Sequence, residues 1–347
     1  MRYKSTRSKG LFDEEFRLQK LSLQSDPLEE LSNHIDFELF RSLLEEALFH
    51  EEKGVGGAPS YDCVLMFKIL ILQRYYNLSD DKTEFQILDR LSFMRFLGLT
   101  LADKVPDAKT IWLFREHLTQ KNLGEKLFAL FLEELKKKGL LLNEGKIVDA
   151  SFVEVPIQRN SKEEKQKIKE GEIPEGWKEK PHKLSQKDTD ARWTKKHGKS
   201  YYGYKDHVKV DTKSKLIETY QVTPAKVHDS QPTEELLSDE DAGQALHGDS
   251  AYSGEPVKEI VEKKRMNNQI NEQGYRNHPL TEEQKESNKI KSKTRARIEH
   301  VFGFIENSMN GSFIRTIGLK RATVVIGLMN LTYNMFRSMQ IISIHSG

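Results

Sequence analysis

Cysteine is almost absent: Cys63 is the only one. No internal disulfide can form and no CxxC zinc site exists, so a reducing, cytoplasmic setting is the simple expectation. Long apolar runs are missing as well. The two strongest, CVLMFKILIL (63–72) and TVVIGLMNL (323–331), are far shorter than the ~20 residues of a membrane span. The opening MRYKSTRSKGLFDEEF has no apolar core, so no secretory signal is expected. An excess of charge of one sign is lacking too. With 55 basic and 53 acidic residues the net charge is +2, so any nucleic-acid surface must be local. What remains is a chain of 347 residues, 31% charged and 37% hydrophobic, with a mean hydropathy of −0.66. It is soluble by composition and long enough for more than one domain.

Residues 1–140 read as helix after helix. Asp36 is placed to cap DFELFRSLLEEALF, and Ser79 to cap DDKTEFQILDRLSFM. Asp107 precedes AKTIWLFREHL, and LGEKLFALFLEELKKK stops at Gly139. GVGGAPS (54–60) marks a break. From 141 onward the texture is α/β. KIVDASFVEV (146–155) is rich in β-branched residues. GYKDHVKVD and KLIETYQVTPA form a hairpin pattern around DTKS, and ALHGDSAY rises to a turn. Strand, hairpin, strand, helix and one further short strand at MNNQIN predict a mixed five-stranded sheet flanked by helices. Residues 158–199, dominated by Lys, Glu and Gln, read as a mobile basic loop that cannot bury a core. Thr281 with Gln284 fits a capping box before a long helix, and 319–342 reads as a final helix on the sheet.

Three acids draw attention. Asp149 lies inside an apolar strand, where an unpaired carboxylate is costly. Asp249 ends a strand, the place where ligands collect in α/β sheets. Glu299 lies in KTRARIEHVFGFIE (293–306), which reads as one helix thinned on the acid's face by Ala296 and Gly303. Leading up to it, residues 285–297 hold six basic residues against one acidic residue. Like charges converge only around a cation, and hard oxygen donors favour Mg²⁺ or Mn²⁺. A metal-binding acid beside a basic stripe points to phosphodiester chemistry. His207, His228 and His247 flank the same strands and read as packing or supporting residues.

The order of IVDASFVEVP, DARWTKKHGKSYYGYKDHVKVD, VTPAKVHDS, HGDSAYSGE and RARIEHVFGFIENSM, behind DRLSFMRFLGL and VPDAKTIWLFREHL, resembles bacterial insertion-sequence DDE transposases of the insertion-sequence-five type. The resemblance runs over nearly the whole chain. It implies an RNase H-like catalytic domain (141–347) behind a helical N-terminal domain (1–140) that serves DNA-end recognition or oligomerisation. It implies Asp149, Asp249 and Glu299 as the catalytic triad holding two Mg²⁺ or Mn²⁺ ions. The expected reaction is cleavage at the element's ends, then transfer of the freed 3′-OH into target DNA. Arg295 matches the arginine of an extended signature around the last acid, whereas Ser292 and Glu306 stand where a tyrosine and a lysine are usual.

The partners implied are double-stranded DNA and further copies of the chain, in a bacterial cytoplasm at the nucleoid. Arg295, Arg297 and Lys293 on the basic stretch are expected to touch DNA. So are Trp193, Lys195, Lys196 and Lys205, where basic and aromatic residues interleave, and Lys109 and Arg115 on a helix with helix-turn-helix character. At 200° of separation, only Arg295 of the two arginines shares the Glu299 face. The alternatives are a derivative that holds DNA without cutting it and an RNase H-like nuclease without strand transfer.

Overall fold

The computed structural model describes residues 10, 12–48, 60–196, 198–276 and 278–346; most of the GVGGAPS break lies outside them. The front of the chain is helical: α1 (Asp13–Ser22), α2 (Pro27–His34), α3 (Arg41–Leu48), α4 (Cys63–Tyr75), α5 (Asp80–Asp89), α6 (Leu91–Leu97), α7 (Ala108–Gln120) and α8 (Leu123–Lys137). The caps are those the sequence announces. Asp36 accepts from Glu38 N, Ser79 from Lys82 N and Asp107 from Thr110 N, each satisfying an amide with no partner inside the helix. Asp62 does the same for α4. DDKTEFQILDRLSFM is two helices rather than one. Arg90 is extended between α5 and α6, and its guanidinium lies 4.9 Å from the Phe93 ring and 5.3 Å from that of Tyr76. A tertiary cation–π contact overrides helix continuity there.

The sheet begins with β1 (Lys146–Glu154). Three short helices follow, α9 (Lys162–Glu170), α10 (Glu175–Lys178) and α11 (Pro181–Leu184). Next come β2 (Arg192–Lys196), β3 (Lys199–Asp211), β4 (Ile217–Pro224), α12 (Thr233–Leu236), β5 (Ala245–His247), α13 (Glu255–Lys263) and β6 (Asn267–Asn268). β1 is antiparallel to β3 and parallel to β5, β5 is parallel to β6, and β4 lies antiparallel on the far side of β3. This is the RNase H-like arrangement. It has six strands, not five, because β2 pairs with the first residues of β3, Arg192 opposite Gly203. Gly203 is required at φ +151°, where a Cβ would collide with the Val153 carbonyl of β1.

The extra strand comes from the segment expected to be a loop. Residues 158–199 carry a capping box at Ser161/Glu164 and bury Trp177, whose Nε1 donates to Glu164 at 2.7 Å. Asp188 anchors the segment by accepting from Tyr204 Oη at 2.8 Å and Gly318 N at 3.1 Å. One aromatic and one buried acid outweigh a polar composition that predicts no core.

The chain closes with α14 (Glu282–Arg295), α15 (Ile298–Gly303) and α16 (Leu319–Ser346). α16 is apolar around most of its circumference, which marks a helix covered on all sides. It packs on β3 and β4, as expected, and also on α2, α4, α7 and α8. Tyr75 of α4 stacks on Phe336 at 4.0 Å, and Phe128 of α8 meets Tyr220 of β4 at 5.0 Å. The amide of Asn334 clasps both backbone groups of Ile217 at 2.9 and 2.7 Å. Helical front and sheet therefore share one hydrophobic core.

Candidate active site

Alternation along β1 places Ile147, Asp149, Ser151 and Val153 on one face. Ile147 and Val153 join the core under α15 and α16, so Asp149 and Ser151 project toward the residues around Glu299. Burial pushes the Asp149 carboxyl up to about 6. The Ala150 amide, donating at 2.8 Å, opposes this; Asp249 pushes it further up, and Arg295 and Lys196 pull it down. Asp249 follows β5 and caps the turn Ser250–Tyr252 by accepting from Ala251 N at 2.8 Å. The parallel pairing of β1 with β5 brings these two acids within each other's field.

The third acid arrives on a helix that is not continuous. α14 ends at Arg295 and α15 starts at Ile298. Between them the hydrogen bonds tighten to i+3 spacing: Arg297 N to Thr294 O, Glu299 N to Ala296 O and His300 N to Arg297 O, at 3.1–3.3 Å. A π-helical turn, Phe304–Ser308, follows. The stretch 293–306, expected as one helix, thus bends across the end of the sheet. Arg295 Nη1 reaches Asp149 Oδ2 at 3.2 Å and Nη2 lies 4.0 Å from Glu299 Oε1, while Arg297 turns away and donates to Thr212 O at 3.1 Å. Glu299 itself is 70% exposed. A Cβ added at Gly303 would meet only Asn307 Nδ2, at 4.0 Å. No neighbour demands the glycine, and the approach to the acid is open.

The donor set suits a hard divalent cation, since it is all carboxylate and its buried member is under-neutralised. Among the described residues no three such side chains form a ready-made cage, and the charge standing between Asp149 and Glu299 is Arg295. A fourth acid is present: Glu306 Oε1 accepts from Ser151 Oγ at 2.7 Å. Sequence reasoning passed over that pair, although Ser151 lies two residues from Asp149 and hence on its face. It also missed Tyr252, fully buried, whose hydroxyl has no partner among the described residues. Burial raises its pKa well above the ordinary value, and the fields of Asp149, Asp229 and Asp249 add to this. Ser292, at the tyrosine position, accepts from Asn271 Nδ2 at 2.9 Å.

The other residues expected at DNA are dispersed. Lys293, Lys195 and Lys109 are exposed, and Trp193 is half-exposed beside Tyr202. Lys196 is close enough to act on Asp149 and lies 3.5 Å from Asp229. Lys205, opposite Phe152 and so on the other face of the sheet from Asp149, is buried, with its ammonium 2.6 Å from Asp229 and 2.7 Å from Val227 O. Arg115 is held by both oxygens of Asp80 at 2.7 and 2.8 Å. His207 is buried against Thr223 Oγ1, and burial lowers it to about 4.

Two sequence profiles match the chain: a transposase domain over residues 16–117 and a transposase DDE domain over residues 142–335. Among solved structures, a cryo-EM structure of the piggyBac transposase synaptic complex with hairpin DNA is similar over 92% of this chain and 76% of that one, at 11% identity and a TM-score of 0.44. With the second profile spanning more than half of its length, the chain belongs to the transposase DDE domain family.

Proposed function

We propose that this transposase cuts DNA at the ends of an insertion sequence and transfers the freed 3′-OH into target DNA, with Asp149, Asp249 and Glu299 holding two Mg²⁺ or Mn²⁺ ions. The observation that carries the reading is Asp149. It is a strand-buried carboxylate, raised in pKa, that faces a second acid and has one arginine as its close counter-charge. Such a group is costly unless a further cation is part of its working state.

Asp149, Asp249 and Glu299 would hold the divalent cations, which would supply water activation and charge stabilisation for an in-line displacement. The chain's own residues prepare that site. Asp149 must be deprotonated to contribute. Arg295 neutralises it in the free protein, and its fork of donors is available to a phosphate once that charge is met otherwise. Ser151 and Glu306 fix each other at the edge of the site. In the first step a water oxygen bonds to phosphorus, the P–O3′ bond breaks, and the oxygen leaves as 3′-OH. In the second, that hydroxyl attacks a target phosphodiester. Glu299→Gln and Asp149→Asn should each abolish Mg²⁺-dependent cleavage of end-containing DNA while the far-UV spectrum stays unchanged; a fully active Glu299→Gln protein removes Glu299 from the site. Glu306 at the lysine position motivates the second reading, a protein that holds DNA and cuts nothing, and the same assay on the unmodified chain separates the two.

A further inference from the structure

A second electropositive site lies where α4, α5 and α7 meet the segment before α16. A cavity of about 460 Å³ is lined by Trp112, Arg115, Arg315 and Arg321 together with Asp80 and Glu116. A smaller one of about 60 Å³ shares Asp80, Arg115 and Arg315 with it and reaches Arg74, with room for a few waters or one oxyanion. The two acids are spoken for. Asp80 takes Arg115 in a two-point bridge, and Glu116 takes Arg321 at 2.7 and 2.9 Å. Two guanidiniums are left over. Arg315 is exposed, with a long contact to Asn77 O at 3.5 Å and its guanidinium 5.4 Å from the Phe313 ring, and no carboxylate within ion-pair distance among the described residues. Arg74 is 9% exposed, and its Nε has no hydrogen-bond partner among the described residues. Burial pushes Arg74 down to about 9; Arg115 adds to this, Asp80 opposes it and Arg315 adds a little more. Arg74, Arg115 and Arg315 thus share the single carboxylate of Asp80 at this cavity, and buried positive charge in such excess favours an anion that comes from outside.

We propose that Arg74 and Arg315 bind a backbone phosphate of a DNA strand, with an unpaired base of that strand lying against Trp112. Guanidiniums match phosphate oxygens two at a time. Trp112 is 44% exposed at the cavity and offers a stacking face open to any base. The inference rests on DNA being the substrate, and it names a contact made where the helical front meets the segment before α16, by residues other than the three acids.

Two probes test it with the full-length protein: inorganic phosphate, read by thermal shift, and a single-stranded thymidine 20-mer, read by anisotropy and tryptophan quenching. Phosphate should raise the melting temperature of the unmodified protein and fail to do so for Arg315→Ala. The 20-mer should bind about tenfold more weakly to Arg315→Ala and to Trp112→Ala, with the salt slope of the former smaller by about one. The quenching should be lost in Trp112→Phe. Unchanged phosphate protection in both Arg315→Ala and Arg74→Gln overturns the proposal. So does lost protection with undiminished 20-mer affinity, because the anion is then not DNA. Should Arg74→Gln fail to fold, the exposed Arg315 decides alone. Failure of the cleavage reading at Glu299 would leave these binding readouts standing.

Discussion

Two acidic clusters occupy β1 and its neighbours, and they are wired in opposite ways. On one face, Lys146 pairs with Glu218 and lies 4.0 Å from Asp211, while Lys209 sits 2.7 Å from Asp241 and 3.4 Å from Glu218. Asp211 also accepts from the amides of Asn143, Lys213 and Ser214 and from Ser214 Oγ. Every charge there is buried and answered, which is how a fold keeps ionic groups inside. Three residues along the strand from Lys146, Asp149 lies in the field of Asp249, and among the described residues Arg295 is its one counter-charge within bonding distance; that arginine also lies 4.0 Å from Glu299, and Ser151, two residues on, holds Glu306. The closed network serves structure. The open one leaves negative charge for something that arrives later.

That contrast can be broken or sharpened in several ways. The largest effect is on chemistry: Asp249→Asn should slow Mg²⁺-dependent cleavage by roughly 10³-fold or more, about 4 kcal/mol of barrier, with an unchanged melting curve. In the closed network, Lys209→Met should destabilise the fold by about 3–5 kcal/mol in urea, because Asp241 and Glu218 lose a buried partner. Asp149→Asn should do the reverse. The folded Asp149 carboxyl titrates near 6 against ~3.9 in an unfolded chain, so its cost is fully present above pH 6 and gone below ~4. The asparagine variant should be more stable by up to about 3 kcal/mol at pH 8, with the advantage fading as pH falls through that window. If it is less stable at pH 8, the acid is better compensated than its surroundings indicate. Magnesium at 100 times its dissociation constant should stabilise the unmodified protein by about 2.7 kcal/mol and Asp149→Asn far less, in the absence of DNA. Asp206 follows the same rule, since burial, opposed by the Asn330 amide, raises its carboxyl to about 8. The advantage of Asp206→Asn over the unmodified protein should be absent below pH ~4, widen as pH rises to 8 and stay level above it.

The fold was legible wherever a local rule acts without competition. Capping residues, β-branched runs, the Thr281 capping box and the stop at Gly139 are short-range chemistry, and they sit where the pattern placed them. Legibility failed where a distant partner outvoted the local pattern. Arg90 splits a helix for two aromatic rings. RWTKK becomes a strand because β3 offers it an edge, and Trp177 folds a segment whose composition predicts none. At the site, a lone acid inside an apolar strand was enough to single out Asp149, and strand alternation would have sufficed for Ser151. No spacing rule reports that Glu306, 155 residues away, accepts that serine's hydroxyl hydrogen, or that Lys205 turns inward to Asp229.

By itself the sequence determined the helical front, the mixed sheet, the family and the identity of the acids to watch, because helix periods, strand alternation and motif order are written in neighbouring residues. The tertiary structure alone decided which charges are answered. Whether a lysine or a carboxylate meets its opposite depends on strand register and on helices packed from far along the chain. Charge inside a protein is governed by distance through space and by exclusion of water, and neither is a property of sequence separation.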